Sequence, residues 1–140
     1  MRKENWPALM LDEIASHDAP FSWGVNDCCI FAADVTFAIT GVDHMVAFRG
    51  RYTDRPGAQD MLLTAGCKSL RQYMSGILGP LRKPMATAQR GDIVFQEGRG
   101  LLGSRLGICT GSVAAFIGED DRHSGVVYEP TLLSDGYWRG

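Results

Sequence analysis

The sequence is poor in the features that mark a chain built for polyanions or membranes. Across 140 residues no run of Lys or Arg exceeds two, and the formal net charge is −2. Neither a nucleic-acid backbone nor an anionic lipid surface finds a basic footprint here. No apolar run approaches the roughly 20 residues that span a bilayer. The N-terminus opens Arg2-Lys3 as a secretory leader does, but Glu4, Asp12 and Glu13 interrupt any apolar stretch behind it. The expectation is a soluble chain without signal peptide or transmembrane segment, and with neither nucleic acid nor membrane as partner. Histidine is scarce: His17, His44 and His123 are the whole supply, and no two fall at helical spacing. With no C-x-x-C and no H-E-x-x-H, the pattern announces no metal site, and without a P-loop it implies no cofactor. Internal repeats and low-complexity segments are missing too.

The four cysteines, Cys28, Cys29, Cys67 and Cys109, are too few to make this a disulfide-dense secreted chain, so reduced thiols are expected. Cys28 and Cys29 are adjacent, and helical neighbours point about 100° apart, which disfavours a bridge between them. What is present is the balance of a folded protein, 45% hydrophobic and 21% charged residues. Such a length accommodates one core, read as a single domain over residues 1–140.

Hydrophobic periodicity predicts a short helix over 7–17, ended by Asp18-Ala19-Pro20, and an extended linker through Phe21-Ser22-Trp23-Gly24. A second helix is predicted over 27–40, with Asn26 as N-cap and Gly41 as stop. Cys28, Ala32, Val35 and Ile39 share one face of it, flanked by Phe31, while Ile30 and Phe37 lie opposite. A helix apolar on nearly all sides is buried on nearly all sides, so this one is expected at the centre of the domain. Residues 44–55 read as irregular, 57–65 and 68–78 as two further helices, and 84–89 as a linker. From Arg90 onward, short β-like runs follow at 92–96, 105–110, 113–117 and 125–128, with Gly111-Ser112 as a two-residue hairpin signal. Helices followed by an antiparallel half define an α+β plan.

Cys28 is the most suggestive residue. In the first turn of a helix, free N–H groups and the dipole stabilise a thiolate. Equally, Cys28 shares its face with Val35 and Ile39 and reads as a small buried hydrophobe. Trp23-Gly24 offers room for a substrate beside it, with Trp23 and Asp27 as candidate contacts. A cysteine nucleophile needs a base. His44 lies beyond the far end of a helix about 20 Å long, His123 sits in the polar run 119–124, and His17 could fold back as a weak substitute. Gly98-Arg99-Gly100-Leu101-Leu102-Gly103 matches G-x-G-x-x-G, with Asp120 about 20 residues beyond. The next residues read as strand, however, so no helix N-terminus awaits a pyrophosphate, and a hairpin loop is the better reading. Arg90-Gly91-Asp92 reads as a turn into a strand.

Two stretches together resemble a known family. Phe21-Ser22-Trp23-Gly24-Val25-Asn26-Asp27-Cys28 looks like the lead-in to the catalytic helix of NlpC-type cell-wall peptidases of the papain-like superfamily. Gln89-Arg90-Gly91-Asp92-Ile93-Val94-Phe95 resembles that family's "p-G-D-l-v-f" strand, and Arg105-Leu106-Gly107-Ile108-Cys109 its "H-v-G-i-y" strand. The wider pattern includes Thr40-Gly41-Val42-Asp43, Arg51-Tyr52, Gly57-Ala58 and Tyr137-Trp138-Arg139. It is similar to a phage- and prophage-associated family of unknown function found among tail genes. The resemblance implies a papain-like NlpC-type α+β fold, Cys28 as nucleophile, and peptidoglycan peptides or phage tail proteins as partners. It also implies host cytoplasm during assembly and the virion tail as locations. The family's histidine, however, falls on Arg105, and an arginine stays protonated and cannot act as base.

Three expectations follow. The chain is a cysteine hydrolase acting on peptidoglycan amide bonds, with the Cys28 N–H helping to hold the oxyanion. Or it is a catalytically inactive structural or assembly protein, with Arg105 paired to Asp27 or Asp34 in the old site. Or it is a small-ligand binding module using the cleft beside Trp23. An imidazole near the Cys28 sulfur separates the first two, and weak or absent turnover is the favoured outcome.

Overall fold

The computed structural model describes residues 2–100 and 103–140. The chain runs through α1 (Trp6–Ser16), α2 (Cys28–Thr40), α3 (Arg55–Thr64) and α4 (Leu70–Leu78). It then forms β1 (Ile93–Glu97), β2 (Ser104–Cys109), β3 (Val113–Glu119), β4 (Ser124–Pro130) and β5 (Gly136–Trp138). The helices precede one antiparallel sheet of order β4-β3-β2-β1-β5. This is an α+β architecture. Among the described residues no helix is long and apolar enough to cross a membrane.

The central helix is where periodicity put it. Nine of its thirteen residues are buried, and Gly41 ends it in the left-handed conformation at φ 80°. The cap differs from expectation. Asp27, not Asn26, is the N-cap, its carboxylate accepting from the Ile30 N–H at 2.8 Å. Asn26 instead turns its amide N–H2 back onto the carbonyls of His17 and Ala19, at 3.0 and 2.8 Å, and fixes the linker into α2. Both residues are good caps locally, and their distant partners assign the roles, the 17–19 carbonyls engaging Asn26 and the Tyr52 hydroxyl engaging Asp27. Helix α3 starts at Arg55 rather than Gly57 because Asp54 caps it and Pro56 occupies its first turn. Ser69 caps α4.

One face of the sheet carries Ile93, Phe95, Leu106, Ile108, Ala115 and Ile117 against the helices, with Phe31 and Val35 of α2 fully buried between them. Burial of each such side chain contributes about 1.5–3 kcal/mol. The alternate residues, Val94, Cys109, Ala114, Phe116 and Val127, form a second cluster on the far face, covered in part by Met85 and Ala88. Gly107 belongs to this face: a Cβ there would sit 2.4 Å from the Phe116 ring and 2.6 Å from the Ala115 carbonyl.

The strand β5 was not anticipated from the sequence. It pairs with β1, and Trp138 is fully buried against Phe95 at 5.6 Å between ring centroids. The Trp138 indole N–H donates to the Gly79 carbonyl, tying the end of α4 to the sheet. The glycine-rich stretch after β1 is a hairpin loop, with the Gly98 N–H donating to Gly103 at 2.7 Å; Leu101 and Leu102 of that motif lie outside the described residues. Asp92 of the Arg90-Gly91-Asp92 turn is fully buried, held by Arg2 and Arg139 and by the Gln89 N–H. It presents nothing to a partner.

Candidate active site

A cleft of about 440 Å³ opens between the N-terminus of α2, the 45–52 segment, α3, α4 and one end of the sheet. Cys28, Cys29 and Asp27 form its floor with Ile117. Phe21 and Trp23 stand on one side, packed edge to face at 5.0 Å, and Met45, Phe48, Tyr52, Ala58, Leu62 and Leu70 on the other. The walls are thus largely apolar, with polar groups supplied by the start of α2 and, at the sheet's end, by Arg105, Glu119 and Ser124.

Cys28 is the first helical residue of α2. Its Sγ lies 3.9 Å from that of Cys29, and all four cysteines are unbridged. Asp27 caps only the Ile30 N–H, so the Cys28 and Cys29 N–H groups lie in the uncapped first turn. The Cys29 S–H, donating to Cys28, holds the Cys28 thiol below its ordinary range. Burial opposes this, the Leu106 N–H and the Arg105 charge assist, and the Asp27 carboxylate works against it. The same bond and burial push the Cys29 thiol well up. Within the pair, the hydrogen bond favours a thiolate at Cys28 over one at Cys29.

Asp27 is 2% exposed and its oxygens are committed. Oδ2 accepts from the Tyr52 hydroxyl at 2.5 Å and from the Gly24 N–H at 2.8 Å, and Oδ1 from Ile30. Burial and the Asp27 charge push the Tyr52 hydroxyl far above its usual range, so it stays protonated. Asp27 borders the cleft, as a substrate contact would, but its acceptors are spent on the fold. The space beside Gly24 is likewise filled. At φ 74° its missing side chain would meet the Tyr52 carbonyl at 2.2 Å, so the glycine admits backbone rather than substrate.

Arg105 does not pair with Asp27 or Asp34, the pairing expected of an inactive structural protein. Leu106 faces the helices, so Arg105, its neighbour along β2, faces the far side of the sheet. There its guanidinium lies over Phe116, 4.1 Å from the ring centroid, while Nε donates to Gln96 at 2.8 Å and Nη2 pairs with Glu129. It borders the cleft only at the sheet's end. Asp34 is engaged by Arg49 and His17.

Residues 1–139 match a family described as a domain of unknown function (DUF6950). The chain belongs to that family. No curated protein and no solved structure shows significant similarity to it.

In this DUF6950 chain none of the three histidines lines the cleft. His17, considered as a substitute base, is turned into a separate cluster with Glu13, Asp34 and Asn26. His123 bonds Asp18 at 2.5 Å, and His44 lies behind Cys29 on the side away from the opening. Trp23 does stand at the cleft. Sequence reasoning missed Tyr52 and Cys29 as partners of the Asp27–Cys28 step. The Arg51-Tyr52 pair was part of the family pattern, but nothing in its spacing pointed back to α2.

Proposed function

We propose that this domain is a papain-like, NlpC-type scaffold of a phage or prophage tail module that binds a peptide-like ligand in the cleft and has lost amide hydrolysis. The motif order and the cysteine at the start of a helix packed on an antiparallel sheet support the scaffold. One observation carries the loss of hydrolysis: among the described residues lining the cleft there is no imidazole. A thiolate can still attack a carbonyl there, and the free N–H groups at the start of α2 could hold the oxyanion. Collapse of the tetrahedral adduct must then expel an amine, which leaves only if it receives a proton. Beside Cys28, the Tyr52 proton is held by Asp27 and the Cys29 proton by its raised thiol. Arg105 borders the cleft only at the sheet's end and gives no proton up. Binding survives in such a site, and turnover does not.

The test is incubation with peptidoglycan stem peptides, read by mass spectrometry for cleavage and by calorimetry for binding. Saturable binding without cleavage, retained in Cys28→Ala, is expected. Cleavage that Cys28→Ala abolishes overturns the loss of hydrolysis. No binding to either protein overturns the ligand assignment.

A further inference from the structure

Away from the cleft, Glu13 of α1, His17 at the end of α1, and Asp34 of α2 converge where the 18–27 linker leaves one helix and enters the next. Asn26 decides what this convergence means. Its amide nitrogen donates to the carbonyls of His17, Ala19 and Pro20, so its oxygen is the atom turned to the imidazole, 2.8 Å from Nδ1. Nδ1 therefore carries a proton and donates it. In the neutral ring Nε2 then holds a lone pair. That lone pair is aimed at Glu13 Oε2 and Asp34 Oδ2, each 3.1 Å away. A proton on Nε2 can bridge the three atoms, pairing the imidazolium with both carboxylates, and a cation can take that proton's place. His17 is 7% exposed, so the ring itself is held inside the fold.

The geometry suits more than a proton. Donors about 2.0 Å from a tetrahedral metal lie about 3.3 Å from one another, close to the 3.1 Å from Nε2 to each carboxylate oxygen. All three donor atoms lie within 4.8 Å of one another. Two carboxylates match the charge of a dication, and both side chains are about a third exposed, leaving a path for the ion and for a water ligand. The outer shell is also in place. Asn26 fixes the ring, and Arg49 takes the other oxygen of Asp34 at 2.6 Å, orienting its carboxylate while leaving Oδ2 free for the cluster. Asp43 holds Arg49 in turn.

We propose that Glu13, His17 and Asp34 bind a divalent transition-metal ion of the zinc type, with water completing the coordination. Bound there, the ion clamps α1 to α2 and braces the linker that delivers Asp27 and Cys28 to the cleft. The site is independent of the cleft's ligand, and either assignment can fail alone.

Zinc chloride titrated calorimetrically into the full chain tests it, in a background with Cys28, Cys29 and Cys67 changed to serine so that thiols do not compete. One ion per chain is expected. Glu13→Gln, on the solvent side of α1, should weaken binding about tenfold or more, and His17→Gln should abolish it while circular dichroism reports a folded chain. Cobalt(II) should give a d–d absorption band that Glu13→Gln alters. Loss of zinc binding on removing the thiols, or affinity indifferent to Glu13→Gln, overturns the proposal.

Discussion

Replacing Asp27 by alanine should be among the most damaging single changes in the molecule, and its cost can be worked from the three bonds it makes. As N-cap of α2 its carboxylate contributes about 1 kcal/mol. The bond from the Tyr52 hydroxyl is charge-assisted and contributes about 1.5–3 kcal/mol. With Asp27 2% and Tyr52 6% exposed, truncation also strands the Tyr52 hydroxyl and the Gly24 N–H away from water. The sum is about 4 kcal/mol, a large share of the roughly 5–15 kcal/mol that keeps a domain folded. Tyr52→Phe should cost about 2 kcal/mol, since it removes one donor and leaves the cap. The decisive measurement is a double-mutant cycle by urea denaturation. Losing the Tyr52 partner makes the second substitution cheaper, so the pair should show a coupling of about 1.5–3 kcal/mol. Additivity within about 0.5 kcal/mol, or an Asp27→Ala cost under about 1 kcal/mol, would refute the account of Asp27 as a shared structural acceptor.

Two further outcomes concern the thiol and the arginine. Iodoacetamide labelling of Cys28, followed by peptide mapping across pH, should reach half-maximal rate below the ordinary thiol range. Cys29→Ala should move that midpoint up by removing the S–H donor, and Asp27→Asn should move it down by removing the opposing charge; shifts of the reverse sign would contradict the assignment. Arg105→His should not create a hydrolase, because the new ring replaces a side chain directed to the far face of the sheet. It should instead cost about 1.5–3 kcal/mol, the scale of a charge-assisted hydrogen bond, since imidazole is too short to replace both the Gln96 and Glu129 contacts while Glu129 keeps its pairing with Arg99. Peptide cleavage appearing in that variant would show the ring reaching Cys28.

The parts of the fold that periodicity controls were legible. Helix α2 is apolar around most of its circumference and ends at a glycine, and both properties survive any arrangement of its neighbours. The Gly111-Ser112 turn between β2 and β3 is a local signal and was read as one. Strand β5 is three residues long and framed by Asp135 and Arg139, so no alternation is long enough to mark it. Its existence depends on β1 offering a free edge. The cap of α2 was misplaced by one residue because Asn26 and Asp27 are equal candidates locally; the distant carbonyls at 17–20 and the distant Tyr52 hydroxyl decide between them. Arg105 shows the same limit. Its position in the motif could be read, but which side of the sheet it faces follows from strand register. The nearness of Glu13 to His17 follows from helical spacing, whereas Asp34 joins them only through the crossing of α1 and α2.

The cleft has walls of unequal permanence. Its floor belongs to α2, which is buried along most of its length, whereas α3 and α4 each bury only two side chains, Ala58 and Leu62 in one and Leu70 and Met74 in the other. Three of those four are cleft residues. So little buried surface makes this helical pair a cooperative unit of low local stability, whose amides exchange with solvent through partial unfolding that leaves the sheet intact. The wall facing Cys28 is then the one that breathes, and an occupant of the cleft acts as added core for α3 and α4, slowing that exchange as it binds.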